Sequence, residues 1–361
     1  MNRKGLVLLS LMLATGLPTS LSAEQNHVIV VSGLGGAQEY RNRFHEWSIR
    51  LVDAAIDRHG IPADQVVFLA EQPDRDPDRI QARSTWENIQ TAITEVAEHA
   101  AFDDLVLIVL IGHGSFSGSV SHFNLPGPDP TVVDFAVALN ELRDQQVVFV
   151  NTATASGEFI AGLSGPKRTI ITATKTARER NETKFGEFFV EAFAGRVMPE
   201  VETPTATNSV NEIAIDDVAD ANKDGRVSLL EAFDYTRRQV ARVYEESGLL
   251  LTEHAMLDDN GDGYGSDEPD PLTAGADGRI AQALFFTPSG RLTTAELETD
   301  DPTLMGLYAE RNAIEKRVLA HRTLRDGMDS AIYEQELERL LIDLALKNRE
   351  IRKAEDGAPQ P

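Results

Sequence analysis

From residue 27 onward, short β-rich apolar runs alternate with amphipathic segments, the layout of a parallel sheet covered by helices. The first run is 27–31. Over 40–59, Phe44, Trp47, Ser48, Leu51 and Ala55 recur at helical spacing. A second strand is expected at 65–69 and a helix at 85–97. Leu105–Ile111 is seven consecutive apolar residues after Asp103-Asp104, the signature of a strand buried on both faces, and it marks the centre of the sheet. Val132, Phe135, Ala136, Leu139 and Leu142 set the next helix, with Thr131 and Asp134 placed for a capping interaction. Strands follow at 147–150 and 169–174. The stripe Phe185, Phe188, Phe189, Ala192 and Phe193 then gives a helix whose aromatic face reads as core rather than as a cofactor box.

The pattern changes after 198–208, where MPEVETPTATN has the composition of a linker. Residues 216–301 are rich in Asp, Gly and Asn, whereas 304–353 are rich in Glu, Arg and Leu and lack proline. Asp301-Pro302 offers a helix start and Asp326-Gly327 an interruption. The spacings Leu307, Ile314, Val318 and Leu337, Leu341, Leu344, Ile351 predict two antiparallel helices packed as a hairpin over 302–355. Such a hairpin is either a packing appendage or a surface for self-association.

The charge narrows the partners. With 34 Lys+Arg against 58 Asp+Glu in 361 residues, the net charge of −24 opposes binding to nucleic acid or anionic lipid and suits divalent cations. The cysteine count is 0, which removes disulfides, thiolate metal sites, a cysteine nucleophile and lipoprotein anchoring together. Residues 1–23 carry a basic start at Arg3 and Lys4, an apolar run over 5–17 and small residues before Glu24. They read as a secretory signal peptide, with a retained membrane anchor as the alternative. An exported protein, periplasmic or secreted and without a stable membrane anchor, is expected.

Two acidic loops carry metal chemistry. In the stretch Asp220 to Glu231, oxygen donors fall at Asp220, Asn222, Asp224 and Ser228. Gly225 sits at the sharp turn, Arg226 can offer its carbonyl and Glu231 can bind bidentately, the EF-hand loop pattern for calcium. Its context requires helices on both sides, expected at 211–219 and 229–245. A second loop begins 38 residues later with Asp258, Asn260, Asp262 and Tyr264 at the corresponding positions. Its twelfth position is Pro269, which cannot be the bidentate ligand, so this loop is degenerate and Asp267 or Glu268 would have to substitute. The calcium-binding segment is placed at 210–275.

Ligands of open parallel sheets bind at the carboxyl ends of the strands. The central run ends in Gly112-His113-Gly114-Ser115, and the strand at 147–150 is followed by Asn151-Thr152-Ala153-Thr154-Ala155-Ser156-Gly157. Flanking glycines leave room for a substrate backbone, and the second stretch clusters small and hydroxyl side chains where a nucleophile would lie. Ser32-Gly33-Leu34-Gly35-Gly36 hints at a dinucleotide loop, but the last glycine of that fingerprint falls on Gln38. Arg178 and Arg180 are placed to meet an acidic ligand group or simply to be solvated.

The order strand–His-Gly, helix, strand–Ala-Cys-x-Ser-Gly, then strand and helix resembles the legumain and caspase group of cysteine peptidases over 28–193. The resemblance implies an α/β fold, a caspase-like three-layer sandwich at 24–200 with a mostly parallel central sheet. It places the dyad histidine at His113 and the nucleophile at Thr154. A thiol near neutral pH is already partly thiolate, whereas an aliphatic hydroxyl needs a well-oriented base, and the methyl of Thr154 crowds the carbonyl it would attack. Three readings follow. The first is a peptidase homologue without activity that binds peptide or protein, with His113, Gly114, Thr154 and Ser156 marking the groove. In the second, an active hydrolase uses His113 as base and Thr154 or Ser156 as nucleophile, with the N–H groups of Gly114 and Thr154 stabilising the oxyanion. The third is a calcium-stabilised structural module acting through the hairpin.

Overall fold

The computed structural model describes residues 25–102, 104–197, 215–216, 219–222, 226–285 and 330–357, with 303–304, 306–307, 310–311, 314, 317–318 and 321 between the last two. The stretches read from sequence as a signal peptide at 1–23 and a linker at 198–208, together with Asp224, the expected helix start at Asp301-Pro302 and the expected break at Asp326-Gly327, lie outside the described residues.

The chain is a mixed α/β fold built on a seven-stranded sheet. Its strands are β1 (Asn26–Ser32), β2 (Val66–Ala70), β3 (Ala82–Arg83), β4 (Leu105–Ile111), β7 (Gln146–Asn151), β8 (Arg168–Thr172) and β11 (Met256–Asp258), in the order β11-β8-β7-β4-β1-β2-β3. Every pairing is parallel except β11 with β8. The apolar run of β4 follows from its central place, since both faces are covered. Leu107, Val109 and Ile111 enter one core with α1 (Gln38–Asp53), α5 (Phe185–Ala194) and α6 (Leu229–Glu246). Val106, Ile108 and Leu110 enter the other with α2 (Trp86–His99), α3 (Val132–Ala138) and α4 (Glu158–Leu163). Each such side chain taken fully from water contributes about 1.5–3 kcal/mol before chain entropy is counted.

Local chemistry sets the helix ends. Thr131 and Asp134 form the reciprocal capping box expected of them, and α3 gives way at Leu139 to a short 3-10 turn. Thr85 caps α2 by accepting from the Asn88 N–H. The helix expected over 40–59 is α1 followed directly by a π turn, Ala54–Arg58. The five aromatic-stripe residues of α5 are all buried.

Two short ribbons complete the described fold. β5 (Gly114–Ser117) leaves His113 and pairs antiparallel with β6 (Val120–Phe123). β9 (Arg196–Val197) pairs antiparallel with β10 (Ile215–Asp216), so at 215–216 a strand replaces the helix expected over 211–219. The alternation Ile213, Ile215 has the two-residue period of a strand, and the left-handed Gly195 (φ 74°) turns the chain into β9. The first calcium-type loop therefore has a helix after it but a strand before it.

The segment assigned to calcium does not form a core of its own. β11 closes the sheet edge beside β8, while Val227, Leu229, Phe233 and Leu284 share the core of Val109 and Phe189. Further on, each described residue between 303 and 321 is helical, and a helix runs over Ser330–Gly357. Leu304 packs with Ile351, and Val318 with Leu340 and Leu344, the pairing order of two antiparallel segments. No helix among the described residues is long and apolar enough to cross a membrane.

Candidate functional site

The carboxyl ends of β4 and β7 bring His113 and Thr154 to the same edge of the sheet. Gly112 lies between β4 and the histidine, where a Cβ would stand 2.9 Å from the ring of Phe123. The imidazole of His113 is half-buried between Tyr40 and Phe44, in edge contacts with ring centroids 4.5 and 4.9 Å away. Burial pushes its pKa below the ordinary histidine value; Glu182 opposes that shift and Arg43 reinforces it. Glu182 is itself held by the Tyr40 hydroxyl at 3.0 Å and by an ion pair with Arg43. Burial thus favours the neutral form of the ring, the form that can act as a base.

The hydroxyl of Thr154 turns elsewhere. It accepts the Gly114 N–H at 3.2 Å and donates to the Gly114 carbonyl at 2.8 Å. The backbones cross so closely here that a Cβ on residue 114 would lie 2.2 Å from the Thr154 carbonyl oxygen, which is why only glycine fits. Thr154 is buried, with 7% of its surface exposed. His113 donates no ring hydrogen bond to Thr154 or Ser156, and the Gly114 N–H assigned to an oxyanion in the hydrolase reading is committed to Thr154.

Ser156 is tied down as well. Thr174 Oγ1 accepts the N–H groups of Ser156 at 2.8 Å and Gly157 at 3.1 Å, and Ser156 Oγ accepts the Thr174 N–H at 3.2 Å. Between the two hydroxyl residues, Ala155 is left-handed at φ 53°. Such backbone persists only where its surroundings over-determine it. Here the Glu179 backbone carbonyl accepts the Ala155 N–H at 2.9 Å, and the Ser121 hydroxyl donates to the Ala155 carbonyl at 2.7 Å. Sequence reasoning passed over Tyr40, Phe44, Ser121 and Glu182 as site residues; the tyrosine and phenylalanine were visible only as a helix face, and Thr174 only as part of the strand-end stretch Thr172–Thr174. Arg180 stacks on Phe116 at 5.6 Å, and Glu71 accepts the Gly35 N–H at 3.0 Å, placing a carboxylate where a phosphate on the glycine loop would sit.

In the first acidic loop, Ser228 is the N-cap of α6 and Glu231 its third residue, joined in a capping box. The remaining Glu231 oxygen accepts the N–H groups of Ala221 and Asn222, each at 3.2 Å. The last donor of the loop is therefore delivered by the first turn of a helix, as a calcium loop needs. Asp220 is buried, and Arg226 lies over the Phe285 ring at 4.5 Å. In the second loop Asp258 accepts from the N–H groups of Gly261 and Gly263, Asn260 from Asp262, and Asp262 from Tyr264. Two further carboxylates stand there: Asp259, which accepts from Gly278, Ile280 and Ala281, and Asp277, which accepts from Asp259 and Asn260. Burial, with Asp258 and Asp259 nearby, raises Asp277 to about 6. Among the described residues no group of three or more His, Asp or Glu side chains converges in an arrangement that would hold a metal ion.

No protein-family model and no curated protein matches the chain. Among solved structures it is similar to protein GSU0716 from Geobacter sulfurreducens, at 9% identity over 65% of this chain and 92% of that one, with a TM-score of 0.39. It is also similar to drICE, at 9% identity over 62% of this chain and 85% of that one, with a TM-score of 0.33. Likenesses this loose carry no argument about fold or activity.

Proposed function

We propose that this is an exported protein of the caspase–legumain kind that lacks hydrolytic activity. It binds a peptide or protein along the carboxyl edge of its sheet and is stabilised by calcium. One observation carries the reading: the only side chain where the resemblance puts a nucleophile, Thr154, closes its hydroxyl onto Gly114 and makes no hydrogen bond to His113. A hydroxyl that is not hydrogen-bonded to a base is a poor nucleophile. Supporting the kinship, the chain runs β4, His113, α3, β7, Thr154, β8, α5 in the order the resemblance requires. Supporting the metal, Ser228 and Glu231 start α6 in the positions of the last two donors of a calcium loop.

The test is to incubate the protein, with calcium and with chelator, against a diverse peptide pool and to read new termini by mass spectrometry beside His113→Ala and Thr154→Ala. The expected result is no cleavage above the variants, with selected peptides retained on the immobilised protein and lost on His113→Ala. Cleavage that vanishes in both variants would overturn the reading and make the protein a hydroxyl-nucleophile peptidase.

A further inference from the structure

The connection from β8 to α5, residues 173–184, lies along the His113–Thr154 edge and is bonded to it from one side. The Glu179 carbonyl accepts the Ala155 N–H at 2.9 Å, and the Thr183 hydroxyl donates to the Thr152 carbonyl at 2.7 Å. Glu182 holds Tyr40, whose ring packs on His113. From the other side, the connection is fastened by two consecutive residues just ahead of β11. The Glu253 carboxylate accepts the Lys184 N–H at 2.8 and 3.0 Å and the Phe185 N–H at 3.2 Å. The His254 backbone N–H donates to one Glu179 oxygen at 3.1 Å, and its Nδ1 meets the other at 2.8 Å.

Open space flanks this joint. On one side a cleft of about 650 Å³ separates Asn181, Glu182 and Lys184 from the stretch 247–252. On the other a cavity of about 200 Å³ lies between Phe185, Val240 and the stretch 251–255. Leu249 and Leu250, in the segment that leads to the joint, are 65% and 87% exposed. A segment with few buried contacts, held by a handful of hydrogen bonds, opens at the low end of the local stability range.

Glu253 makes that opening depend on protons. Burial raises its carboxyl to about 7, against the bonds from Lys184, Phe185 and Tyr244 and the charge of Lys184. The other charged groups around it are Glu182 on the connection, Arg237 and Arg238 on α6, Asp267 and its neighbour His254. Of these, Glu182 pairs with Arg43, Arg237 with Glu268 and Asp267 with Lys175. Swung into water, Glu253 returns to its ordinary 4.5, so the closed joint binds the proton more tightly than the open one. Rising pH therefore favours the open state, by up to about 300-fold in all and by about tenfold between pH 6 and 8. His254 works in the same sense, because its ion pair with Glu179 exists only while the imidazole is protonated.

We propose that Glu253 and His254 form a clasp that keeps the wall of the groove closed in acid and releases it as the pH rises, so that bound peptide is let go. The regulation rests on the groove reading given above, whereas the clasp itself is tested without a ligand.

The experiment is hydrogen exchange on the full chain at pH 6 and 8, corrected for the intrinsic exchange rate. The Ala155, Lys184 and Phe185 amides are expected to be less protected than those of β4. Their protection is expected to fall by about tenfold or more between the two pH values, and by less in Glu253→Gln. Protection equal to that of β4 would overturn the clasp, since these amides would then open only with the whole fold. No fall in the wild type, or the same fall in Glu253→Gln, would overturn it as well. If that variant fails to fold, the wild-type comparison with β4 decides alone. Members of a diverse peptide pool retained at pH 6 are expected to elute at pH 8, and retention unchanged between them would overturn the regulation. The exchange trend with no peptide retained at either pH would support the clasp and overturn only the groove reading.

Discussion

The Thr154 hydroxyl and the Gly114 backbone form a closed pair, with the hydroxyl accepting from the N–H and donating to the carbonyl of the same residue. Thr154→Val keeps the shape but leaves both Gly114 groups unsatisfied, with an expected loss of about 1–3 kcal/mol. Thr154→Ser keeps both bonds and is expected to lose less. Urea unfolding of the two variants measures the difference, and equal stabilities would refute a structural role for the hydroxyl.

Gly114→Ala tests the crossing itself. The new Cβ would stand 2.2 Å from the Thr154 carbonyl oxygen, and the obstructing atom is backbone. The strands must separate, at an expected cost of about 3 kcal/mol or more. A variant with wild-type melting temperature would show that the β4 and β7 ends are not held this close in solution.

Glu253 predicts an unusual pH trend. Burial raises its carboxyl from 4.5 to about 7, so between those values the folded chain binds more protons than the unfolded one. Stability from this group is then fully present below pH 4.5 and is lost as pH rises towards 7, by on the order of 3 kcal/mol. Glu253→Gln removes the titration and can still accept from the start of α5. The measurement is the wild-type minus variant difference in unfolding free energy from pH 5 to 8, which is expected to fall as pH rises. A flat difference would place Glu253 in a more solvated setting.

If the proposed calcium site binds, a hundredfold excess of free ion over its Kd would stabilise the fold by about 2.7 kcal/mol. The melting temperature is expected to be higher in calcium than in chelator, with most of the rise lost in Glu231→Gln. In chelator that variant is also expected to melt lower, because the box with Ser228 is weakened. A calcium effect that survives Glu231→Gln and disappears in Asp262→Asn would move the metal to the second loop.

Much of the sheet was legible because burial on two faces leaves a signature in composition. The seven apolar residues of β4 fall on the predicted bounds, and the α3 cap was visible as Thr131 and Asp134. What escaped depends on tertiary partners. Met256–Asp258 is too short and too acidic at its end to announce a strand, and pairs only because β8 offers an open edge. The β5–β6 ribbon is built from Gly, Ser and single aromatics, without the alternation that marks a half-buried strand. At the candidate site the sequence located His113 and Thr154 at one edge, but not the direction of their side chains. That direction is set by Tyr40 and Phe44 on α1 and by the backbone crossing at Gly114, contacts between residues tens of positions apart.

The last strand of the sheet is also the last to be synthesised. β8 ends at Thr172, yet the strand that covers its edge begins at Met256, so more than eighty residues must emerge before the edge is paired. Until then a nascent or truncated chain offers β8 as a template for another copy's strand. A chain stopped near residue 200 would carry His113 and Thr154 and still aggregate. Pairing of β11 with β8 therefore closes a stretch of edge that the first two hundred residues leave open.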